Sequence, residues 1–218
     1  MGYVTKLIRE GGVEFLAFLL SKAVPLAKDQ PVTYRDIAKL PADLREQWRL
    51  ACQEELEALC KCKVYELADL PPGRKAVKNH WVFMTKSDSR KKARLIAKGF
   101  SQIEGIGFDQ IFSPAVWYES ICLLLAIAAL EQWHIEGLDV KSAFLYGPLD
   151  EEIYMEQPEG FKVKGQEHKV LCMCQALYGL KQAALQWWKE LQKSMAQLEF
   201  KCAQSYPSSL LSKYHYQR

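Results

Sequence analysis

Apolar residues recur at helical spacing in several parts of the chain. The segment Asp43–Cys60 has one apolar and one polar face and predicts an amphipathic helix, and Gly179–Leu198 does the same. The segment Glu119–Trp133 also predicts a helix. We expect that helix to be buried, because its apolar run falls well short of the ~20 residues that span a bilayer. Near the start of the chain, Thr33 can cap a short helix that runs to Lys39.

Other segments alternate in a way that predicts strands. Trp81–Lys86 and Ala93–Phe100 are separated by turn-forming residues at 87–89, so we expect a β-hairpin. In that hairpin, Arg94 and Lys98 lie on the face opposite Leu95. Further strands are predicted at Ile135–Phe144, Glu152–Gln157, Val170–Cys174 and within Phe200–Tyr214. The mixture of helices and strands indicates an α+β fold.

The charge distribution is more informative than the net charge of +3. The segment Arg74–Lys98 contains nine Lys and Arg residues and one acidic residue, Asp88. A basic block of this kind attracts phosphates, although a solvated charged face is the alternative. Within the hairpin, Lys86, Arg94 and Lys98 could form a clamp for a triphosphate, or could be ordinary exposed strand residues.

Asp139 is an unusual residue in the strand predicted at Ile135–Phe144, whose other positions are mostly apolar. A buried carboxylate costs free energy unless it is paired or binds a metal ion. An aspartate in such a place can also be a capping or turn residue. The pattern alone leaves both interpretations open.

Two features indicate an intracellular protein, in the cytoplasm or the nucleus, without membrane contact. The seven cysteines have neither the usual zinc spacing nor the setting of a small disulfide-rich domain, so we expect reduced thiols. The apolar stretch Val13–Leu20 lacks a cleavage site of small residues, so it predicts a short amphipathic helix rather than a secretion signal.

Seven short blocks follow one another along the chain and carry a family resemblance. They are LPPGRK from Leu70, HWVF from His80, KARLIAKGFSQ from Lys92, FSP from Phe112, LDVKSAFL from Leu138, EIYMEQPEGF from Glu152 and ALYGLKQA from Ala176. In this order the blocks resemble the reverse transcriptase of copia-type retrotransposons. The resemblance implies an RNA-directed DNA polymerase with a right-hand shape, of which this chain would carry the fingers and an incomplete palm.

The resemblance also implies a domain division and a set of binding partners. Residues 31–212 would form the reverse transcriptase domain, residues 1–30 remain unassigned, and residues 213–218 form a tail. The partners would be an RNA template, a DNA primer and deoxynucleoside triphosphates, with Mg²⁺ as the cofactor. No pattern in the sequence indicates an oligomeric state.

The resemblance implies a role for eight residues. Lys86, Arg94 and Lys98 would bind the incoming nucleotide, since a guanidinium can bind phosphate oxygens bidentately. Phe144 would stand as a gate against a ribose 2′-hydroxyl, and Asp139 would be the first metal-binding carboxylate. The residues expected to contact the template and primer are Tyr178, Gly179 and Lys181.

The chain departs from the family in ways that affect the expected activity. The Tyr-x-Asp-Asp sequence that supplies two further carboxylates does not occur in it, so we expect no polymerase activity from this chain alone. Gly107, Ala184, Leu185 and Tyr206 stand where the family usually has other residues. The alternatives are a residual nucleic-acid-binding module or a remnant of a retroelement without function.

Overall fold

In the computed structural model of this chain, the described residues are 29–102, 111, 113, 118–137, 139–202 and 210–211. The helices are α1 (Tyr34–Ile37), α2 (Ala42–Lys61), α3 (Tyr118–Leu130) and α4 (Ala183–Gln197). The strands are β1 (Tyr65–Ala68), β2 (Asn79–Thr85), β3 (Lys91–Ala97), β4 (Pro148–Met155), β5 (Val170–Gln175), β6 (Lys201–Cys202) and β7 (Leu210–Leu211). The predicted mixture of helices and strands is confirmed.

The predicted hairpin is formed by the antiparallel strands β2 and β3. Val82 stands opposite Arg94, and Trp81 stands opposite Leu95. The turn is closed by hydrogen bonds from the Lys86 N–H to the Arg90 carbonyl, at 2.9 Å, and from the Ser89 N–H to the Lys86 carbonyl, also at 2.9 Å. One face of the hairpin is buried, as the alternation predicts.

Helix α2 covers the buried face of the hairpin. Trp48, Cys52 and Leu59 on this helix are fully buried. The Trp48 ring meets Phe83 of β2 edge to face, with 5.4 Å between the ring centroids. Burying a large apolar side chain contributes roughly 1.5–3 kcal/mol, so this contact is a principal stabilising feature of the hairpin.

A second sheet joins β1, β5 and β4 in that order, with both pairings antiparallel. Val77, just before β2, links the hairpin to this sheet. Its N–H donates to the Tyr154 carbonyl at 2.7 Å, and its carbonyl accepts from the Glu156 N–H at 3.0 Å. The Asn79 side chain donates to the Glu156 carbonyl at 2.7 Å. As a result, one cluster of buried residues spans both sheets.

The strand predicted at Ile135–Phe144 is wrong. The described residues between 131 and 142 form no strand, and a 3-10 turn spans Ala143–Tyr146. Ser142 has a left-handed backbone, with φ of 54°. An extended segment needs a neighbouring strand to take its backbone hydrogen bonds, and among the described residues no strand pairs with this one.

The prediction that the apolar helix is buried is also wrong. Helix α3 forms close to the predicted position, but Ala128 is its only buried residue. Exposed apolar side chains on this helix include Ile121, Leu123, Leu124, Leu125 and Leu130. Within the described residues, no helix has both the length and the apolar character needed to cross a membrane.

Candidate nucleotide and nucleic-acid site

Three of the predicted site residues form one cluster. Arg94 extends from the face of β3 that is turned away from α2. Its guanidinium carbon lies 5.4 Å from the centroid of the Tyr178 ring. The Phe144 ring meets the same Tyr178 ring edge to face, with 5.4 Å between the centroids. Residues 94, 144 and 178 are far apart in the sequence, and the fold brings them side by side.

The backbone around Tyr178 lies directly against the end of β3. The Ala97 N–H donates to the Tyr178 carbonyl at 2.8 Å. Gly179 has φ of +90°, and a side chain there would overlap the carbonyl oxygen of Ala97. A side chain at Gly99 would in turn overlap the carbonyl oxygen of Gly179. Two glycines are therefore needed for this close approach of two backbones.

Lys181 also contacts the part of the chain that follows β3. Its backbone N–H donates to Oε1 of Gln102 at 2.9 Å, and its ammonium group donates to the Gln102 carbonyl at 3.1 Å. The predicted residues 178, 179 and 181 therefore all lie along the junction with the end of β3 and the 3-10 turn (Gly99–Ser101) that follows it. The ammonium group of Lys181 contributes to that junction.

Two glutamines that the sequence did not single out complete the junction. Nε2 of Gln102 donates to Oε1 of Gln182 at 3.1 Å, and Nε2 of Gln182 donates to Oε2 of Glu151 at 3.2 Å. Gln102 is 7% exposed and Gln182 is 0% exposed. The two glutamines are 80 positions apart. No local pattern in the sequence predicts a contact between two residues this far apart.

Glu55 of α2 stands at the outer edge of β3, near the basic face. Its Oε1 accepts the Leu95 N–H at 3.4 Å. Burial raises the pKa of the Glu55 carboxyl, while the Leu95 hydrogen bond and the charges of Lys92 and Arg94 lower it. Burial and the nearby Arg94 also lower the pKa of the Lys92 ammonium group. The cations on this face therefore repel one another, and an anionic ligand would relieve that repulsion.

Lys86 and Lys98 lie at opposite ends of the hairpin. Lys86 stands opposite Arg90, and Lys98 lies eight residues along the chain from Arg90, which corresponds to roughly 26 Å of extended strand. Lys98 lines a separate groove together with His80 and Phe100. The two lysines are therefore not brought together, and Arg94 lies between them.

Asp139 is exposed and lies in an irregular segment before the 3-10 turn that carries Phe144. Among the described residues, no three His, Cys, Asp or Glu side chains are grouped so that they could hold a metal ion. Magnesium prefers several oxygen ligands in a near-octahedral arrangement. The residues described here do not by themselves fit such a site.

Arg94 of the hairpin and the rings of Phe144 and Tyr178, all three half-buried, thus form one basic-aromatic cluster. Comparison with known families shows the class of protein to which this cluster belongs. The chain belongs to the family described as reverse transcriptase (RNA-dependent DNA polymerase), whose model matches residues 62–216. The resemblance to copia-type elements is confirmed by the relatives that the chain matches.

Three relatives illustrate the similarity. The chain is 46% identical over 171 residues to the retrovirus-related Pol polyprotein from transposon TNT 1-94 of Nicotiana tabacum, covering 76% of this chain and 13% of that protein. It is 37% identical over 161 residues to the Pol polyprotein from transposon RE1 of Arabidopsis thaliana, covering 71% of this chain and 11% of that protein. It is 28% identical over 173 residues to the Transposon Ty1-BL Gag-Pol polyprotein of Saccharomyces cerevisiae, covering 76% of this chain and 9% of that protein.

The chain thus spans about an eighth or less of the length of these curated relatives. No solved structure gives a significant match to the chain.

Proposed function

We propose that this chain provides the fingers and the first part of the palm of an RNA-directed DNA polymerase, and that it binds an incoming deoxynucleoside triphosphate at Arg94. The observation that carries the proposal is the contact of the Arg94 guanidinium with the Tyr178 ring, which Phe144 supports from the side. The membership of the chain in the reverse transcriptase family supports the same assignment.

The chemistry of the cluster suits a triphosphate. A guanidinium presents paired N–H groups that bind two phosphate oxygens together, and it retains its charge at all physiological pH values. A cation against an aromatic face gains roughly 0.5–2 kcal/mol, so Tyr178 would hold Arg94 in one orientation. Phe144, on the other side of Tyr178, would present a bulky wall to the sugar of the nucleotide.

The surrounding cations would serve the nucleic acid rather than the nucleotide. Lys86, Lys92 and Lys98 are spread along the hairpin, which suits a run of backbone phosphates better than one compact group. We assign the Tyr178–Lys181 segment to the contact with the template and primer. Asp139 would be one ligand of a Mg²⁺ ion, with the remaining ligands supplied from outside the described residues. We expect the protein to act inside the cell.

A binding experiment tests the proposal. An RNA–DNA hybrid with a recessed 3′ end is titrated with the chain at several salt concentrations, with and without the complementary deoxynucleoside triphosphate. We expect binding that weakens as salt increases and that the nucleotide strengthens. Arg94→Ala should abolish the effect of the nucleotide, with a loss of nucleotide affinity of about 1.5–3 kcal/mol.

Arg90→Ala is the matched control, because Arg90 lies on the same hairpin and its charge is already paired with Asp88. It should leave the effect of the nucleotide unchanged. Equal effects of the two substitutions would contradict the assignment of Arg94, and binding that does not depend on salt would contradict a phosphate-binding role.

A further inference from the structure

Four glutamines are buried within the described part of the chain, and two of them are bonded to each other. Gln102 follows the 3-10 turn after β3, and Gln182 immediately precedes α4. The other two, Gln157 and Gln186, bond elsewhere. A buried amide costs free energy unless its donor and acceptor atoms are both used. The Gln102–Gln182 pair meets this requirement in a way that links distant parts of the chain.

The hydrogen bonds of the pair run in one direction. The Glu151 carboxylate accepts from Gln182, the Gln182 carbonyl oxygen accepts from Gln102, and Oε1 of Gln102 accepts the backbone N–H of Lys181. The chain of hydrogen bonds therefore begins at a carboxylate of β4 and ends on the backbone three residues after Tyr178. Charge-assisted and linked hydrogen bonds strengthen one another in a buried setting.

The contact between Tyr178 and Arg94 depends on where this backbone lies. The segment is attached at both ends: the Tyr178 carbonyl accepts from Ala97 at the end of β3, and the Lys181 N–H donates to the Gln102 side chain just beyond the 3-10 turn that follows β3. Gly179 and Gly99 leave no side chain between the two backbones where they approach most closely. Loss of the Lys181 attachment would allow the Tyr178 ring to move away from Arg94.

We propose that Gln102 and Gln182 are positioning residues, which fix the Tyr178–Lys181 segment on β3 and so hold the Tyr178 ring against Arg94. The functional consequence rests on the proposed function, in which Arg94 binds the nucleotide. Glutamine suits this place because a single neutral side chain both donates and accepts. A carboxylate or an apolar side chain of the same length can do only one of these or neither.

NMR can measure the position of the Arg94 side chain relative to the Tyr178 ring. A proton on the Arg94 side chain that lies over the Tyr178 ring has an NMR signal shifted by the ring current, and Tyr178→Leu defines the signal without the ring. In Gln182→Met, which retains the length of the side chain and removes its hydrogen bonds, we expect the Arg94 signal to move toward its position in Tyr178→Leu. Nucleotide affinity should weaken about tenfold.

Gln186→Met is the matched control. Gln186 is also buried, lies in α4 one helical turn after Gln182, and bonds to Asp150 instead of Gln102. It should leave the Arg94 signal in place. The exchange variant Gln182→Glu with Glu151→Gln keeps each donor facing an acceptor, so it should restore the Arg94 signal. An unmoved signal in Gln182→Met, or an equal movement in Gln186→Met, would overturn the proposal.

A second variant covers the case in which Gln182→Met does not fold, and the nucleotide measurement separates the positioning role from the proposed function. If Gln182→Met does not fold, Gln102→Glu removes the donor to Gln182 and retains the acceptor for Lys181, and it should move the Arg94 signal part of the way. No movement in that variant would overturn the proposal. If the signal moves as expected while the wild-type chain binds no nucleotide, the positioning role stands and the proposed function fails.

Discussion

Glu55 shows how a single side chain sets a pH dependence in this protein. Its ordinary pKa is 4.5, and burial raises it in the folded state. Between pH 4.5 and the raised pKa, the folded state retains a proton that the unfolded state has released. The free energy of unfolding therefore decreases as the pH rises through this window. Above the window the loss is complete and constant.

We therefore predict that Glu55→Gln stabilises the protein at neutral pH. The amide can still accept the Leu95 N–H, and it has no charge to bury. The advantage should be small below pH 4.5, should grow above it, and should then level off. Urea unfolding from pH 4 to pH 8 measures this change. The exposed neighbour Glu54, substituted to Gln, is the control, and a pH-independent difference for Glu55→Gln would contradict the prediction.

Single residues also mark what the sequence could and could not reveal. The alternation along β3 was sufficient to predict on which face of the hairpin Arg94 lies, because side chains of a strand alternate between its two faces regardless of the surroundings. The partners of Gln102 and Gln182 could not be found in this way. Their contact is between segments 80 positions apart and depends on how the hairpin meets α4.

At the level of elements, the junction between the Tyr178 segment and β3 requires a glycine at position 179. Gly179 combines a positive φ of 90° with contact on the Ala97 carbonyl. We predict that Gly179→Ala lowers the free energy of unfolding by about 3 kcal/mol, from left-handed backbone strain together with overpacking.

Gly165→Ala is the control, since Gly165 has φ of +80° with open space around it. Its cost should be about 1 kcal/mol, from backbone strain alone. Chemical denaturation of both variants gives the comparison. Equal losses would mean that the close approach of the two backbones contributes nothing.

Strands were predicted less well than helices, and the reason is physical. Helix α2 satisfies its own backbone hydrogen bonds, so its apolar pattern was sufficient to predict it within one residue at each end. A strand depends on a neighbour. The apolar segment Ile135–Phe144 found none among the described residues, whereas the short strand β1, which had no clear pattern, formed because β5 lies beside it.

At the level of the whole molecule, α3 is the most conspicuous apolar surface among the described residues. Large exposed apolar patches promote association. We predict that the chain self-associates through this helix and that Leu123→Lys with Leu130→Lys lowers the apparent mass in solution at a given concentration. Leu123 is 62% exposed and Leu130 is 82% exposed, so neither substitution should disturb the core.

The control for charge is Gln47→Lys with Gln53→Lys, which adds the same charge at exposed positions of α2. Sedimentation velocity over a range of concentrations measures the effect. A decrease in mass that is the same for the control pair would assign the change to net charge instead of the apolar face of α3.

The way β3 is flanked has a consequence for misassembly. Its outer edge would otherwise offer a free row of backbone groups, which is the template that cross-β stacking and strand swapping require. Glu55 takes the Leu95 N–H, and the Tyr178 carbonyl takes the Ala97 N–H. The Tyr178–Lys181 segment, which contacts the template and primer in our proposal, therefore also protects the hairpin, and a substitution that loosens it should promote the formation of fibrils.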